Sequence, residues 1–400
     1  MGDLLFLVLA ALMGLAMGLP VLGGRSAAPV KVTSPGTVTP FPPTYFQNFG
    51  SQKVQVEYGP FTVGNQAQTT AGYSVQSLPD AQKPCTGSCY IYKHRAFLTY
   101  TNGTEAHVSN GDMLLRSYIS TQARMDSVCP QVYEQTFHSA NERLPYDLSA
   151  NGTQTVGYLL PDGPMNVYAE MVNYNADAQQ YNLILEFEFV PGTTAGFQHL
   201  TPYYLDTSGI CGPGLLTAPT PTTFDTTMPG AYTITKPGFV YAVGGHLEDG
   251  GITAELTKNG AAICTSQATY GGSAQYIDWT GTPRVSWMDI CHAVGNVTTG
   301  DQLSVTGHYD LTQHPALPVG SNSAPVIAAF LATHVNVLLD VYPLIIHVRD
   351  AIVASLNDLR DRTPLRSRLS GDLRQTIVTG KATVRTPDTA ATQDAIVALQ

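Results

Sequence analysis

The chain has 400 residues, of which 43% are hydrophobic and only 12% charged, and a formal net charge of −10. That acidic balance argues against nucleic acid as a partner, because phosphate backbones are met by clustered Lys and Arg. The length exceeds one ordinary core and points to two domains. With 37 Gly, 27 Pro and 21 Tyr, the composition suits an extracellular β-sheet protein better than a helical cytosolic one.

Met1-Gly2-Asp3 is followed by an apolar run from Leu4 to Met17, and no further charge occurs before Arg25. This run is short for a membrane span and has the length of a secretory leader core. Ala16 and Gly18 are small residues that suit cleavage after Gly18. We therefore expect residues 1–18 to be a signal peptide and residues 19–50, rich in Pro, Thr, Val and Gly, to be an extended linker. Three N-x-S/T acceptors, Asn102, Asn151 and Asn296, fit a glycosylated protein that is secreted or held at the cell surface. In that setting the six cysteines read as disulfides. Cys85 and Cys89 are spaced to close a small loop. Cys264 with Cys291 is the preferred pair, because both fall within one predicted domain. No C-x-x-C occurs, so a zinc ribbon or thioredoxin-type site is unsupported.

From Lys53 onward, short strand-like runs recur between turn signals: Lys53–Tyr58, Cys89–Tyr100, Thr155–Leu160, Asn166–Asn173 and Tyr181–Val190. In the last of these, Leu183, Leu185, Phe187 and Phe189 share a face, which leaves Glu186 and Glu188 toward solvent. A Pro/Gly/Thr-rich break from Pro191 to Pro229 precedes a second block, in which Asn259-Gly260 signals a two-residue hairpin. These features predict a mainly β protein of two jelly-roll-like β-sandwich domains, at 51–195 and 196–318. Beyond Pro318, apolar residues at helical spacing (Ile327, Phe330, Leu331, Val335, Leu338, Leu339, Tyr342) predict an amphipathic helical segment over 319–362, interrupted at Pro343. Its polar His334, Asn336, Asp340 and His347 make a poor membrane span. Residues 363–400, with scattered arginines, read as a flexible tail.

The chain has no G-x-S-x-G elbow, no H-E-x-x-H, no Walker loop and no dinucleotide fingerprint. What remains is the stretch Gly244-Gly245-His246-Leu247-Glu248-Asp249-Gly250-Gly251 at the end of the strand-like run Phe239–Val243. Residues i and i+2 of a strand project from one face, so His246 and Glu248 point the same way and Asp249 opposite. An imidazole and a carboxylate side by side can bind metal or move protons, and they can equally form a plain ion pair. With His308 or His314 they would make a two-histidine, one-carboxylate set suited to a single copper, iron or zinc ion. His292 completes the histidines of this block.

A resemblance is carried by that octet, by Leu256-Thr257-Lys258-Asn259-Gly260, by Cys264-Thr265-Ser266-Gln267-Ala268-Thr269-Tyr270-Gly271, and by Met288-Asp289-Ile290-Cys291. Gly300-Asp301-Gln302-Leu303 and Tyr309-Asp310 with His314-Pro315 follow, while Pro84-Cys85, Cys89-Tyr90 and Asn141-Glu142-Arg143 extend it upstream. In this order they resemble the stress up-regulated Nod (nodulin-type) family in its secreted fungal form. That family is similar in architecture to the copper-dependent, ascorbate-requiring monooxygenases. The resemblance implies two jelly-roll-like β-sandwiches, with one copper site per domain in the enzymes.

Three departures from the pattern stand out. Glu248 replaces the second histidine of the usual H-L-H-D-G-G, and Leu115-Arg116 stands where a first-domain histidine pair is expected. No methionine-bearing closing strand follows Pro315. The resulting expectation is a secreted, non-catalytic or degenerate relative of copper monooxygenase-like proteins. One alternative is a mononuclear metal-dependent oxidoreductase using His246, Glu248 and a later histidine. Another is a carbohydrate-binding protein that meets an extracellular glycan or cell-wall component.

Overall fold

A computed structural model describes residues 36–69, 72–143, 145–209, 211, 221–317 and the backbone of the strand His334–Asp340. The expected signal peptide and tail lie outside these residues. The described residues belong to one compact unit, Met1–Pro343, and the fold is mainly β.

Two sheets come from the N-terminal half. In the seven-stranded sheet the order is Thr37–Phe41, Gln52–Val63, Gln179–Pro191, Cys89–Tyr100, Val156–Leu160 and Gln198–His199, with Tyr146–Asp147 also on Cys89–Tyr100. Its companion runs Ser74–Ala81, Met165–Asn173, Asp112–Met125, Tyr133–Ser139. Two more sheets follow. One has the order Thr201–Asp206, His334–Asp340, Gly238–His246, Ile290–Val297. The other is built from Thr223–Thr227, Gln302–Asp310, Gly251–Lys258, Ala261–Tyr270 and Val285–Met288, with Tyr232–Thr233 on Gln302–Asp310. The Asn259-Gly260 turn joins two of these strands with φ of 52° and 80°, the left-handed pair a two-residue hairpin needs.

Alternation builds the interior. Leu183, Leu185, Phe187 and Phe189 are all buried, and they join Val56, Leu98 and Leu114 in the largest apolar cluster. That cluster continues into Ala242, Leu247, Met288 and Tyr309, so the two halves share packed apolar surface. Three disulfides, Cys85–Cys89, Cys129–Cys211 and Cys264–Cys291, close the cysteine inventory. The second ties the loop after Asp112–Met125 to the segment after Thr201–Asp206.

Two expectations need correction. Glu188 does not face solvent: its side chain is 1% exposed. Thr44 donates its N–H (2.6 Å) and its hydroxyl (2.7 Å) to that carboxylate, and Tyr92 adds a third bond at 3.1 Å. Part of the stretch read as linker is thus ordered: Thr37–Phe41 adds an edge strand beside Lys53–Glu57, Thr44 covers Glu188, and Phe46 packs against Tyr92 and Phe197.

The helical reading of 319–362 also fails where it can be checked. Residues His334–Asp340 form a strand hydrogen-bonded on one side to Thr201–Asp206 and on the other to Gly238–His246. The run His-Val-Asn-Val-Leu-Leu-Asp carries both a helical and an alternating pattern. Two strands with open edges decide between them by satisfying its backbone groups. The rest of that segment lies outside the described residues.

Candidate functional site

His246 ends the strand Gly238–His246 and is buried, as are Glu248 and Asp249 in the turn that leads into Gly251–Lys258. The preceding glycine makes this possible. A Cβ on Gly245 would sit 2.8 Å from Ala254 Cβ and from Ser266 Cβ and Oγ, so only glycine lets the strand press this close to the facing sheet. The Gly245 N–H then donates to Ser266 Oγ at 3.1 Å.

Glu248 approaches His246 from the turn beyond the strand end, with Oε1 3.6 Å from Nε2. The other ring nitrogen, Nδ1, lies 3.2 Å from Oε1 of Glu142. This partner, which the sequence reading did not single out for any role, comes from the N-terminal half. It follows the strand Tyr133–Ser139 in a turn where the Arg143 N–H bonds Ala140 O at 3.0 Å. Glu142 Oε1 also accepts the Ala140 N–H at 3.1 Å, and Tyr276 donates its hydroxyl to the Glu142 carbonyl at 3.1 Å. His246 is therefore held between two buried carboxylates, one from each half of the chain.

The electrostatics follow from that arrangement. Burial works against the imidazolium, but the charges and hydrogen bonds of Glu142 and Glu248 outweigh it and raise His246 to about 10. Burial also opposes ionisation of Glu142, yet His246 and the Ala140 N–H hold its carboxyl below the usual range. For Glu248, burial wins over the attraction of His246, and its carboxyl rises to about 7.

Asp249 turns away from His246. Its Oδ1 accepts the Val285 N–H at 3.0 Å and its Oδ2 lies 3.4 Å from Arg284 Nη1. Burial lifts Asp249 to about 6, against the pull of Arg284. Arg284 also holds Asp278 Oδ2 through Nε at 2.9 Å and Nη2 at 2.6 Å, and its Nη1 donates to the Pro315 carbonyl. Asp249 is thus a buried structural anchor for the turn that carries Glu248.

The later histidines go elsewhere. His308 is partly exposed and pairs with Asp225 at 2.8 Å. His314 stacks on Tyr270 with ring centroids 3.5 Å apart and planes 6° apart, and burial lowers its pKa. His292 stands opposite Ala242 in register, with its pKa lowered by burial. His308 and His314 therefore do not join His246 and Glu248. His334 stands at the backbone register position opposite both His246 and Asp206. Only a fold that inserts His334–Asp340 between two strands brings position 334 there.

In the N-terminal half, Arg116 pairs with Glu170 at 2.8 Å, and Tyr168 donates to the same carboxylate oxygen at 2.6 Å. A guanidinium thus occupies the position where the resemblance implies a histidine ligand. Beside it, His138 is stacked between Tyr118 and Tyr204, at 4.9 and 4.0 Å. Asn102, Asn151 and Asn296 are exposed.

Among the described residues, no three His, Cys, Asp or Glu side chains form a group able to hold a metal ion. His246 and Glu248 are donor types that copper(II), iron and zinc accept, but Nε2 faces Glu248 on a charged imidazole and would have to give up its proton before it could bind a metal. They offer one imidazole nitrogen and one carboxylate, with the second ring nitrogen bonded to a carboxylate as in most metal-binding histidines.

No family model matches the chain. It is 29% identical over 282 residues to "Probable copper-dependent oxygenase M1" of Phoma sp. (strain ATCC 20986 / MF5453), covering 70% of this chain and 71% of the relative. It is also 29% identical over 241 residues to "Probable copper-dependent oxygenase clz3" of Cochliobolus lunatus, covering 59% of this chain and 76% of the relative. A solved peptide:N-glycanase F aligns at 10% identity with a TM-score of 0.32, covering 72% of this chain and 95% of its own. Membership of the nodulin-type family is not supported. What sequence identity does support is that the chain is a relative of proteins named copper-dependent oxygenases.

Proposed function

We propose that the chain is a copper-oxygenase-type metalloenzyme whose candidate metal centre is built on His246 and Glu248. The observation that carries this reading is the buried imidazole of His246, with Glu142 on one ring nitrogen and Glu248 facing the other. A bound copper ion would supply one-electron chemistry with oxygen. The chain's own residues do the rest. Glu142 takes the Nδ1–H hydrogen bond, Glu248 presents a carboxylate, and the packed sheets around them keep bulk water out. The two relatives named as copper-dependent oxygenases support the choice of metal. We propose further that the protein is secreted and glycosylated at Asn102, Asn151 and Asn296, a reading supported by their exposure and by the leader-like N-terminus.

The test is metal content by mass spectrometry and copper(II) electron paramagnetic resonance on the full secreted chain, beside His246→Ala. The expected result is about one copper per chain, lost in the variant. Wild-type protein that carries copper on fewer than about a tenth of chains after reconstitution, or a His246→Ala protein that keeps it, refutes the reading.

A second reading is favoured by the Arg116–Glu170 pair and by Glu248 standing where an imidazole is expected. It is a non-catalytic relative that keeps the fold without turnover. Copper-loaded protein that consumes no oxygen with reductant, across a panel of candidate substrates, would favour it.

A further inference from the structure

Between the loop that follows Asp112–Met125 and the segment that follows Thr201–Asp206 lies a cavity of about 100 Å³. Its polar lining includes two buried carboxyl groups, Asp126 and Asp206, with Gln135 and Tyr204 beside them. Its apolar lining is the Cys129–Cys211 disulfide and Val132, which is itself exposed.

Asp126 is only 4% exposed. Its Oδ1 accepts the N–H groups of Val128 and Cys129 at 2.9 and 2.8 Å, which closes the loop, while its Oδ2 accepts no hydrogen bond. Burial pushes this carboxyl above its ordinary range, against the N–H groups of Cys129, Val128 and Gln135; the like charge of Glu134 adds to the rise, and no cation is among these influences. Asp206 is raised by burial too, but the Ser208 N–H, bonded at 2.7 Å, and the charges of Arg116 and His246 work against it. A buried carboxylate oxygen without a partner is costly, and a positive hydrogen-bond donor in the cavity would relieve that cost.

A metal ion suits this lining poorly. Calcium takes six to eight oxygens, and no three His, Cys, Asp or Glu side chains gather to hold a metal among the described residues. The volume suits an organic group instead. A cavity of roughly 150 Å³ accepts a benzene ring, so this one accepts about four heavy atoms. The disulfide and Val132 give the carbon part of such a group an apolar surface.

We propose that this cavity binds a small organic ammonium ion, a protonated primary amine on a short alkyl stem. Its N–H groups donate to Asp126 Oδ2 and to Asp206, and its stem lies on the disulfide and Val132. The site is separate from His246 and does not depend on the metal reading given above.

The test uses the full chain with n-propylammonium as the probe, titrated at neutral pH and followed by ligand-observed nuclear magnetic resonance. Propanol serves as the uncharged match in size, and calcium as the competing cation. Two variants accompany the wild type, with thermal melts to verify folding. Asp126→Asn keeps the Oδ1 acceptor that closes the loop but removes the charge. Val132→Trp adds bulk at an exposed position on the lining and leaves both carboxyl groups untouched.

Propylammonium is expected to bind about 10-fold or more tightly than propanol, and Asp126→Asn to weaken it by a similar factor. Val132→Trp should weaken it as well. Absence of propylammonium binding, equal binding of propanol, or an ammonium affinity unchanged in Asp126→Asn overturns the proposal. Calcium that displaces propylammonium at equal concentration assigns the carboxylates to a metal and overturns it too. Should Asp126→Asn fail to fold, Val132→Trp decides, and wild-type affinity in that variant refutes binding in this cavity.

Discussion

Arg284→Met tests whether the turn bearing Glu248 depends on a buried ion network. In the folded chain the guanidinium touches Asp278 through two nitrogens at 2.6 and 2.9 Å and Asp249 at 3.4 Å, and all three side chains are 5% exposed or less. Removing the cation leaves two buried carboxylates without a counter-charge, and breaking such a pair costs about 3–5 kcal/mol. Asp278 keeps its hydrogen bonds from Thr280 and Thr282, and Asp249 keeps the one from Val285. Those remaining donors place the expected cost near the lower end, about 3 kcal/mol. The assay is urea unfolding of wild type, Arg284→Met, Asp249→Asn and the double variant. Because Asn keeps an acceptor for Val285 and removes one stranded charge, the double variant should be more stable than Arg284→Met alone. A loss below about 1 kcal/mol in Arg284→Met, or strict additivity in the cycle, would refute the claim that these charges are coupled in the interior.

Three further outcomes follow from the same geometry. Gly245→Ala drives a Cβ to 2.8 Å from three atoms of Ala254 and Ser266 and should destabilise by about 1–3 kcal/mol. Ser266→Gly in the same chain removes two of those atoms and should restore part of the loss in thermal melts. Loop-closure entropy ranks the disulfides: the Cys129–Cys211 bridge, closing a separation of 82, should contribute about 4–5 kcal/mol, and Cys85–Cys89, separation 4, about 2 kcal/mol. Paired Cys→Ser variants in denaturant titrations check that order, and an inverted ranking contradicts it. For Asp278, burial opposes ionisation, but hydrogen bonds from Thr280, Arg284 and Thr282 outweigh it and hold the folded carboxyl below its ordinary 3.8. Its contribution is therefore fully present above that pH and is lost as pH falls further, through the depressed value. Stability of Asp278→Asn should fall less steeply than wild type over that acid range, and parallel curves would show that Asp278 is not responsible.

The part of the site legible in the sequence is the part that local periodicity governs. Strand alternation was expected to put His246 and Glu248 on one side and Asp249 on the other; the structure has Glu248 beside the imidazole and Asp249 on Arg284, although the strand ends at His246 and a turn sets these directions. The Asn259-Gly260 hairpin and the Cys264–Cys291 pair were readable for the same reason, since each involves chain neighbours or one domain. Glu142 carried no such signal: it sat in a recognisable string, Asn141-Glu142-Arg143, but no spacing relates it to position 246. His308 and His314 looked like candidate ligands by residue type alone, and they were claimed instead by Asp225 and Tyr270.

By itself the sequence determined the β character of the chain and the alternating core faces, because a pleated strand dictates side-chain direction residue by residue. Tertiary structure alone decided what those faces meet. It buried Glu188 under Thr44 and turned residues 334–340 into a strand between two others. It also brought Glu142 across to His246. Each of these depends on pairing between distant segments, where open sheet edges and buried charges must find partners. No local pattern records which partner that will be.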